Sequence, residues 1–317
     1  MARLTRRSFL GRSFLAAGAG VCVLGVGRET GGAATPSSPP AAKFAICNET
    51  FKDWPLDKAF SLAAECGYTG IEIAPFTIAD YVTRISAAKR TEVRRQAEKA
   101  GLEVVGLHWL LAKTQGFHVT SPDPAIRRKT AAYLGELARF CGDVGGKLLV
   151  FGSPKQRDLA PGTSRDVGMR HAAEVIHAVL PVLEKTGVMF LLEPLSPATT
   201  SFLTTAAEAV ELIGMVGSPR CRLHLDCLAM SSEAAPIPDL IRKYRSMFLH
   251  FHANDPNGQG PGFGRLDFVP IFRALQEIGY RRWISVEVFD TTPGPERIAR
   301  QSIATMRDSW AKAVSSG

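Results

Sequence analysis

From Lys43 onward the chain alternates between two patterns of apolar and polar positions. Short apolar runs rich in β-branched residues are each followed by a loop and then by a longer segment whose apolar positions recur every three or four residues. The first pattern is that of a buried strand, the second that of an amphipathic helix. Strands are predicted at Phe44–Asn48, Gly70–Ala74, Glu103–His108, Lys147–Phe151, Val188–Glu193, Cys221–Asp226, Met247–His252 and Trp283–Val288. Helices are predicted at Leu56–Cys66, Ile85–Ala100, Pro124–Val144, Arg165–Thr186, Thr205–Val216, Ile237–Tyr244, Val269–Ile278 and Pro295–Lys312. Gly67, Gly101, Gly145, Gly187 and Gly279 stand where a helix ends before the next strand, a position that favours a left-handed cap. Eight strand–helix units between residues 43 and 312 predict a closed (β/α)8 TIM barrel rather than an open doubly wound sheet. No Gly-x-Gly-x-x-Gly opens the first helix, which removes the main support for a dinucleotide-binding fold.

With 45% hydrophobic and 21% charged residues among 317, the chain is neither disordered, collagen-like nor a polytopic membrane protein. Its net charge of +8 suggests a polyanion partner until the charges are located. Residues 1–34 hold Arg3, Arg6, Arg7, Arg12 and Arg28 against Glu29, so half the excess lies there. The remaining 33 basic and 29 acidic residues form no Lys/Arg block, and no nucleic-acid partner is expected. That opening segment runs Thr5-Arg6-Arg7-Ser8-Phe9-Leu10, then a small and apolar run from Ser13 to Gly27, then Gly31-Gly32-Ala33-Ala34. The order is that of a bacterial export signal, and the arginine pair resembles the twin-arginine class, read by the twin-arginine export machinery. Residues 1–34 are therefore expected to direct export to the periplasm or the extracellular space, with 35–42 a Pro/Ser-rich linker. The apolar run is 15 residues long and glycine-rich, too short for a stable membrane anchor, and Val21 before Cys22 makes a poor lipoprotein site. Beyond it remain Cys47, Cys66, Cys141, Cys221 and Cys227, an odd number without a Cys-x-x-Cys pair, expected as buried thiols rather than a disulfide framework.

Barrels of this kind build their chemistry at the C-terminal ends of strands. The fifth to eighth predicted strands close on Glu193, Asp226, His252 and Glu287–Val288. A carboxylate in apolar surroundings needs a cation or dense hydrogen bonding, and one divalent metal would satisfy all four groups. The competing reading, solvated charges at loop entries, requires the same coincidence on four successive strands. Three carboxylates and one imidazole form a hard site suited to Mn²⁺, Mg²⁺ or Co²⁺, with Zn²⁺ a further option.

Leu192-Glu193-Pro194, His224-Leu225-Asp226, His252-Ala253-Asn254-Asp255 and Val286-Glu287 resemble the metal set of the xylose isomerase-like barrel superfamily, within its sugar phosphate isomerase/epimerase branch. The likeness extends to Gly260-Pro261-Gly262-Phe263-Gly264 and to Ile278-Gly279-Tyr280. It implies one divalent metal, Mn²⁺ foremost, on Glu193, Asp226, His252 and Glu287. Glu193 and Glu287 would double as the acid/base pair of a carbohydrate isomerase or epimerase that removes a proton beside a carbonyl through a metal-stabilised enediolate. The pattern departs from ketose 3-epimerases at Ala229, where they carry a substrate-contacting histidine, and in Asn254-Asp255-Pro256-Asn257-Gly258, where they carry a basic residue. Substrate and reaction therefore stay open. Export favours an unphosphorylated sugar or sugar derivative, and the same metal site could serve a lyase or dehydratase acting on a keto-glycoside or cyclitol. A non-catalytic exported sugar-binding barrel is a third possibility. The trinuclear-zinc apurinic-endonuclease branch of the fold needs further histidines and a basic groove that this sequence lacks.

Glu72 and His108, ending the second and third strands, are expected at the same mouth as substrate contacts, together with Trp109, Asn254 and Asp255. Phe76 and Phe263 are weaker candidates for an apolar wall, and Asn48 and Glu49 either line the pocket or cap a turn. Lys155 and Arg157, after the fourth strand, either neutralise a phosphate or a carboxylate or, the favoured reading, are solvated loop cations, and His118, His171 and His177 are expected as surface residues. His224 and His250 each precede a proposed ligand by two residues and so point into the barrel one layer below. They either support the carboxylates above them or are satisfied core histidines. Whether copies of the chain associate into a homo-oligomer is left open.

Overall fold

Strands β1 (Lys43–Cys47), β2 (Gly70–Ile73), β3 (Glu103–Leu107), β4 (Leu148–Phe151), β5 (Met189–Leu192), β6 (Cys221–Asp226), β7 (Phe248–Ala253) and β8 (Trp283–Val286) pair in parallel in chain order. β8 returns to β1 and closes the barrel. This is a (β/α)8 TIM barrel, seen in a computed structural model that describes residues 42–314. The outer ring comprises α1 (Leu56–Cys66), α2 (Ala87–Lys99), α3 (Pro124–Asp143), α4 (Arg165–Thr186), α5 (Ala206–Val216), the single turn α6 (Cys227–Met230), α7 (Ile237–Lys243), α8 (Phe268–Glu277) and α9 (Pro295–Val314). Ser86, Asp123, Ser164, Thr205 and Asp267 each accept a hydrogen bond from a first-turn amide, which fixes where five of these helices start. Gly67 and Gly187 end α1 and α4 with φ of 93° and 71°, a conformation that costs other residues more.

Two differences from the sequence reading bear on the site. Helix α6 is an additional turn directly after β6, begun by the side chain of Asp226, which caps the Ala229 amide. Strands β3, β5 and β8 stop one or two residues early, so His108, Glu193 and Glu287 sit just past the ladder. Free of the register there, they can turn across the barrel axis rather than stand along it.

Between the strands and the outer ring, the helices bury Phe60, Phe140, Leu212, Phe272 and other apolar residues against the barrel. Inside, the barrel is divided. Its N-terminal half is filled by Ala45, Val105, Leu148, Val150 and Leu191, while Cys47, Glu72, His224, His250, His252 and Ser285 form a buried polar upper layer. All five cysteines of the described region are buried free thiols. The expected export segment 1–34 and residues 35–41 of the expected linker lie outside the described residues. Among the described residues no helix is long and apolar enough to cross a membrane.

Candidate metal centre

β6 and β7 are in register with Asp226 beside His252, and His252 lies beside Ser285 of β8. Glu193 and Glu287 turn in from the flanking strand ends. One donor atom from each of Glu193, Asp226, His252 and Glu287 lies within 4.8 Å of all the others, and all four residues are buried. Burial and the neighbouring charges of Glu287 and Asp226 push the Glu193 carboxyl well above its ordinary range. Burial, followed by Glu287, raises Asp226 to about 7. Burial also opposes ionisation of Glu287, yet His252, His108 and their hydrogen bonds outweigh it and lower Glu287 to about 2. Three oxygens and a nitrogen, in a buried cluster where carboxylates crowd one another, are the donor set that a divalent cation takes. The residues fit that group.

Beneath the four, a second tier fixes their orientation. His252 Nδ1 lies 3.0 Å from Glu287, and its Nε2 lies 3.2 Å from Glu72 Oε2. With Nε2–H given to Glu72, the Nδ1 lone pair is left facing the cluster, the arrangement by which a carboxylate sets the tautomer of a ligating histidine. Glu72 is pinned in turn by His250 Nε2 at 2.7 Å. Burial resists its ionisation, but His250 and His252 prevail and hold Glu72 well below the usual carboxylate range. On the other flank His108 bridges Glu49 Oε2 at 3.0 Å and Glu287 Oε1 at 3.3 Å. Burial disfavours its charged form, but Glu49 and the hydrogen bonds to both carboxylates raise His108 to about 10. Trp109 Nε1 donates to Glu287 Oε1 at 2.7 Å. His224 Nε2 stands 3.9 Å from Glu193 Oε1, and neither of its ring nitrogens has a hydrogen-bond partner among the described residues.

Above the cluster opens a cavity of 640 Å³ lined by Trp109, Gly152, Pro154, Leu195 and Phe289, among others, with Lys113 and Lys155 as its cations. Of the four donors, Glu193 and Glu287 line it; Asp226 and His252 do not. Trp109 is stacked on Phe289 at 5.7 Å and tilted against Phe76 at 5.6 Å, forming an aromatic wall.

The profile of xylose isomerase-like TIM barrels matches residues 60–309. The chain belongs to that family. Among curated relatives of this xylose isomerase-like barrel, the D-psicose 3-epimerase of Ruminiclostridium cellulolyticum is 27% identical, the match covering 75% of this chain and 80% of that protein. The fructoselysine 3-epimerase of Escherichia coli O157:H7 is 22% identical, with 80% and 93% covered. Among solved structures, an L-ribulose 3-epimerase superposes with a TM-score of 0.73 at 20% identity, covering 86% of this chain and 96% of that one.

Within this barrel, several residues expected to touch substrate have other duties. Glu72 is fully buried under His252, away from the cavity. Asn254 donates to Asp226 Oδ2 at 2.7 Å and accepts from the Leu228 amide, so it holds a cluster carboxylate in place. Asp255 is consumed by the amides of Gly262 and Leu266 and shapes the loop after β7. His108 is buried between two carboxylates, and of the five expected contacts only Trp109 lines the cavity. Phe263 lies at a different cavity, beneath Arg297. His118 and His171 are partly buried and bonded to loop or backbone oxygens, while His177 is exposed as expected, with its ring nitrogen on the Val216 carbonyl.

Arg157, expected in solvent, is fully buried, and its guanidinium donates to the carbonyls of Glu193, Phe151 and Ser153. Glu49, whose other oxygen accepts from the Val288 amide, is the second residue whose importance the sequence understates. The Glu193 partner of Arg157 lies 36 residues away in the chain and the Val288 partner of Glu49 lies 239 away, so no local motif announces these two contacts.

Proposed function

We propose that this protein is a divalent-metal-dependent sugar epimerase or isomerase that moves a proton on the carbon beside a carbonyl. The observation that carries the reading is the convergence of four buried donors of which two, Glu193 and Glu287, also face one cavity. We assign the metal to Glu193, Asp226, His252 and Glu287, with Mn²⁺ the preferred ion. A bound cation there supplies Lewis acidity, which makes a C–H next to a carbonyl easier to ionise. Glu287, held by Trp109 and His108, is a fixed carboxylate positioned to take or return a proton. Glu193 enters from the end of β5, three strands round the barrel from β8, so the pair can address two faces of one carbon. Apolar walls at Trp109, Leu195 and Phe289 limit water at that carbon. Relatives that are 3-epimerases of D-psicose and fructoselysine support a ketose or keto-sugar derivative as the substrate class.

A second reading, elimination from a keto-glycoside by the same proton removal, is favoured by one feature. Ala229 occupies the position at which the epimerase pattern has a substrate-contacting histidine, and the cavity continues along an aromatic wall. The experiment is incubation with Mn²⁺ in D₂O against D-psicose, D-fructose, L-ribulose and a 3-keto-glucoside. Deuterium should enter the carbon next to the carbonyl, and Glu193→Gln or Glu287→Gln should slow this by at least ~10²-fold. An epimeric product supports the first reading and a dehydrated or cleaved one the second; turnover without exchange or an α-deuterium isotope effect contradicts both.

Export is part of the proposal and rests on Arg6 and Arg7. Replacing both by Lys should leave the protein in the cytoplasm with its fold intact; normal secretion of that variant would remove the twin-arginine assignment.

A further inference from the structure

Glu49 is buried, stands outside the cluster of four donors and does not line the cavity above it. One of its carboxylate oxygens, Oε2, has no in-line hydrogen-bond donor among the described residues. A buried carboxylate short of donors is destabilising, and an apolar side chain would pack in its place at less cost. Its surroundings show what a carboxylate of this length does there. The ladder between β1 and β8 has its last pair at Ile46 and Val286. Beyond that pair the chain after β1 winds into a 3-10 turn, Asn48–Phe51, and Glu49 reaches out of this turn to take over from the ladder. Its Oε1 accepts from the Val288 amide at 3.2 Å, one residue past Glu287.

The other oxygen of Glu49 stands 3.0 Å from His108 Nε2, off the line of a ring N–H, so the in-line hydrogen bond of this imidazole is the one from Nδ1 to Glu287 Oε1 at 3.3 Å. The contacts close a ring. It runs from Glu49 to the Val288 backbone, along the chain to Glu287, across its carboxylate to His108, and from the imidazole back to Glu49. Trp109 Nε1 donates to the same Oε1 at 2.7 Å. With both donors on Oε1, Oε2 is the oxygen turned to the cluster, 3.0 Å from His252 Nδ1. An imidazole holds a carboxylate in one orientation only when its own rotamer is locked from behind, and Glu49 is the group behind it.

We propose that Glu49 is a positioning residue for Glu287: by its reach rather than its charge it braces the Val288 backbone and the His108 ring, and so fixes which Glu287 oxygen faces the cluster. Its use in catalysis rests on the proposed metal-dependent reaction, whereas the brace itself belongs to the metal-free fold. Two substitutions separate reach from charge. Glu49→Asp keeps the carboxylate but withdraws it by one methylene from both contacts. Glu49→Gln keeps the reach, with an oxygen for the Val288 amide and an NH₂ group behind the His108 ring. In crystal structures of the metal-free proteins, wild type and Glu49→Gln should hold Glu287 Oε1 against Trp109 and His108, and Glu49→Asp should show that carboxylate turned away or in two conformers. Mn²⁺ affinity should fall by at least ~10-fold in Glu49→Asp and stay within ~3-fold of wild type in Glu49→Gln. With a sugar that the wild type turns over, at saturating Mn²⁺, Glu49→Asp should lower kcat by roughly 10-fold and leave KM within ~3-fold, because Glu49 does not reach the cavity. An unmoved Glu287 in Glu49→Asp overturns the proposal. So does the reverse order, with Glu49→Gln the more damaged, which would make charge the operative property. Equal damage in both variants overturns it as well, and marks Glu49 as a general support of the fold. A wild type that binds no Mn²⁺ would defeat the proposed reaction instead, and the metal-free structures would still decide the brace.

Discussion

Trp109 adopts φ of 50°, left-handed backbone that a bulky residue enters at a cost of about 1–2 kcal/mol. Its indole is where Glu287 needs a donor, and its faces are gripped by Phe76 and Phe289, which offset that strain. Trp109→Phe keeps the stacking and deletes the donor. It is expected to lower turnover by roughly 10-fold, in line with one lost charge-assisted hydrogen bond, while leaving Mn²⁺ stoichiometry unchanged. Steady-state rates and metal analysis on the same preparation check this; a loss of metal would mean that the residue acts on the ligands as a whole. The cluster donors themselves were legible in the sequence because strand parity and strand ends locate them. Glu72, Asn254 and Arg157 were misjudged because their roles are set by His252, Asp226 and the Glu193 carbonyl, contacts made only when distant segments meet.

The turn that follows β4 illustrates how elements, rather than single residues, aim the site. A Cβ on Gly152 would overlap the Glu193 carboxylate, so glycine there lets the β4 turn pass beneath that side chain without displacing it. Arg157 then ties that turn to the end of β5 through the Phe151 and Glu193 carbonyls. Gly152→Ala should leave the helix content intact and weaken Mn²⁺ binding by at least ~10-fold, since a ligand must move. Arg157→Met should destabilise the fold by about 1–3 kcal/mol by orphaning buried carbonyls. Chemical denaturation and metal titration separate the two effects. Hydrophobic period was enough to assign all eight strands and the major helices. It could not show the α6 turn, which the Asp226 side chain nucleates, nor the early ends of β5 and β8, because a residue leaving the ladder to reach inward keeps the same apolar neighbours in sequence.

For the molecule as a whole, the buried carboxylates are expected to make stability depend on pH and, with the proposed metal, on the ion as well. Asp226 ionises near 4 when unfolded but at about 7 when folded. The folded metal-free protein therefore binds the extra proton between those values, and this contribution to stability is present below about 4 and lost as pH rises through about 7. A metal displaces that proton, so the rise in Tm caused by saturating Mn²⁺ should grow between pH 5.5 and 7.5. A metal-induced shift independent of pH across that window would mean that Asp226 is not a ligand. The central claim, that Glu193, Asp226, His252 and Glu287 form one cation site, is tested most directly by titrating Mn²⁺ into metal-free wild type, Asp226→Ala and His252→Ala and counting bound ion by its spin resonance. The expected result is about one tight equivalent in the wild type and its loss in both variants, each still folded. Wild type that binds no Mn²⁺, or variants that bind it as tightly as wild type, would contradict the account.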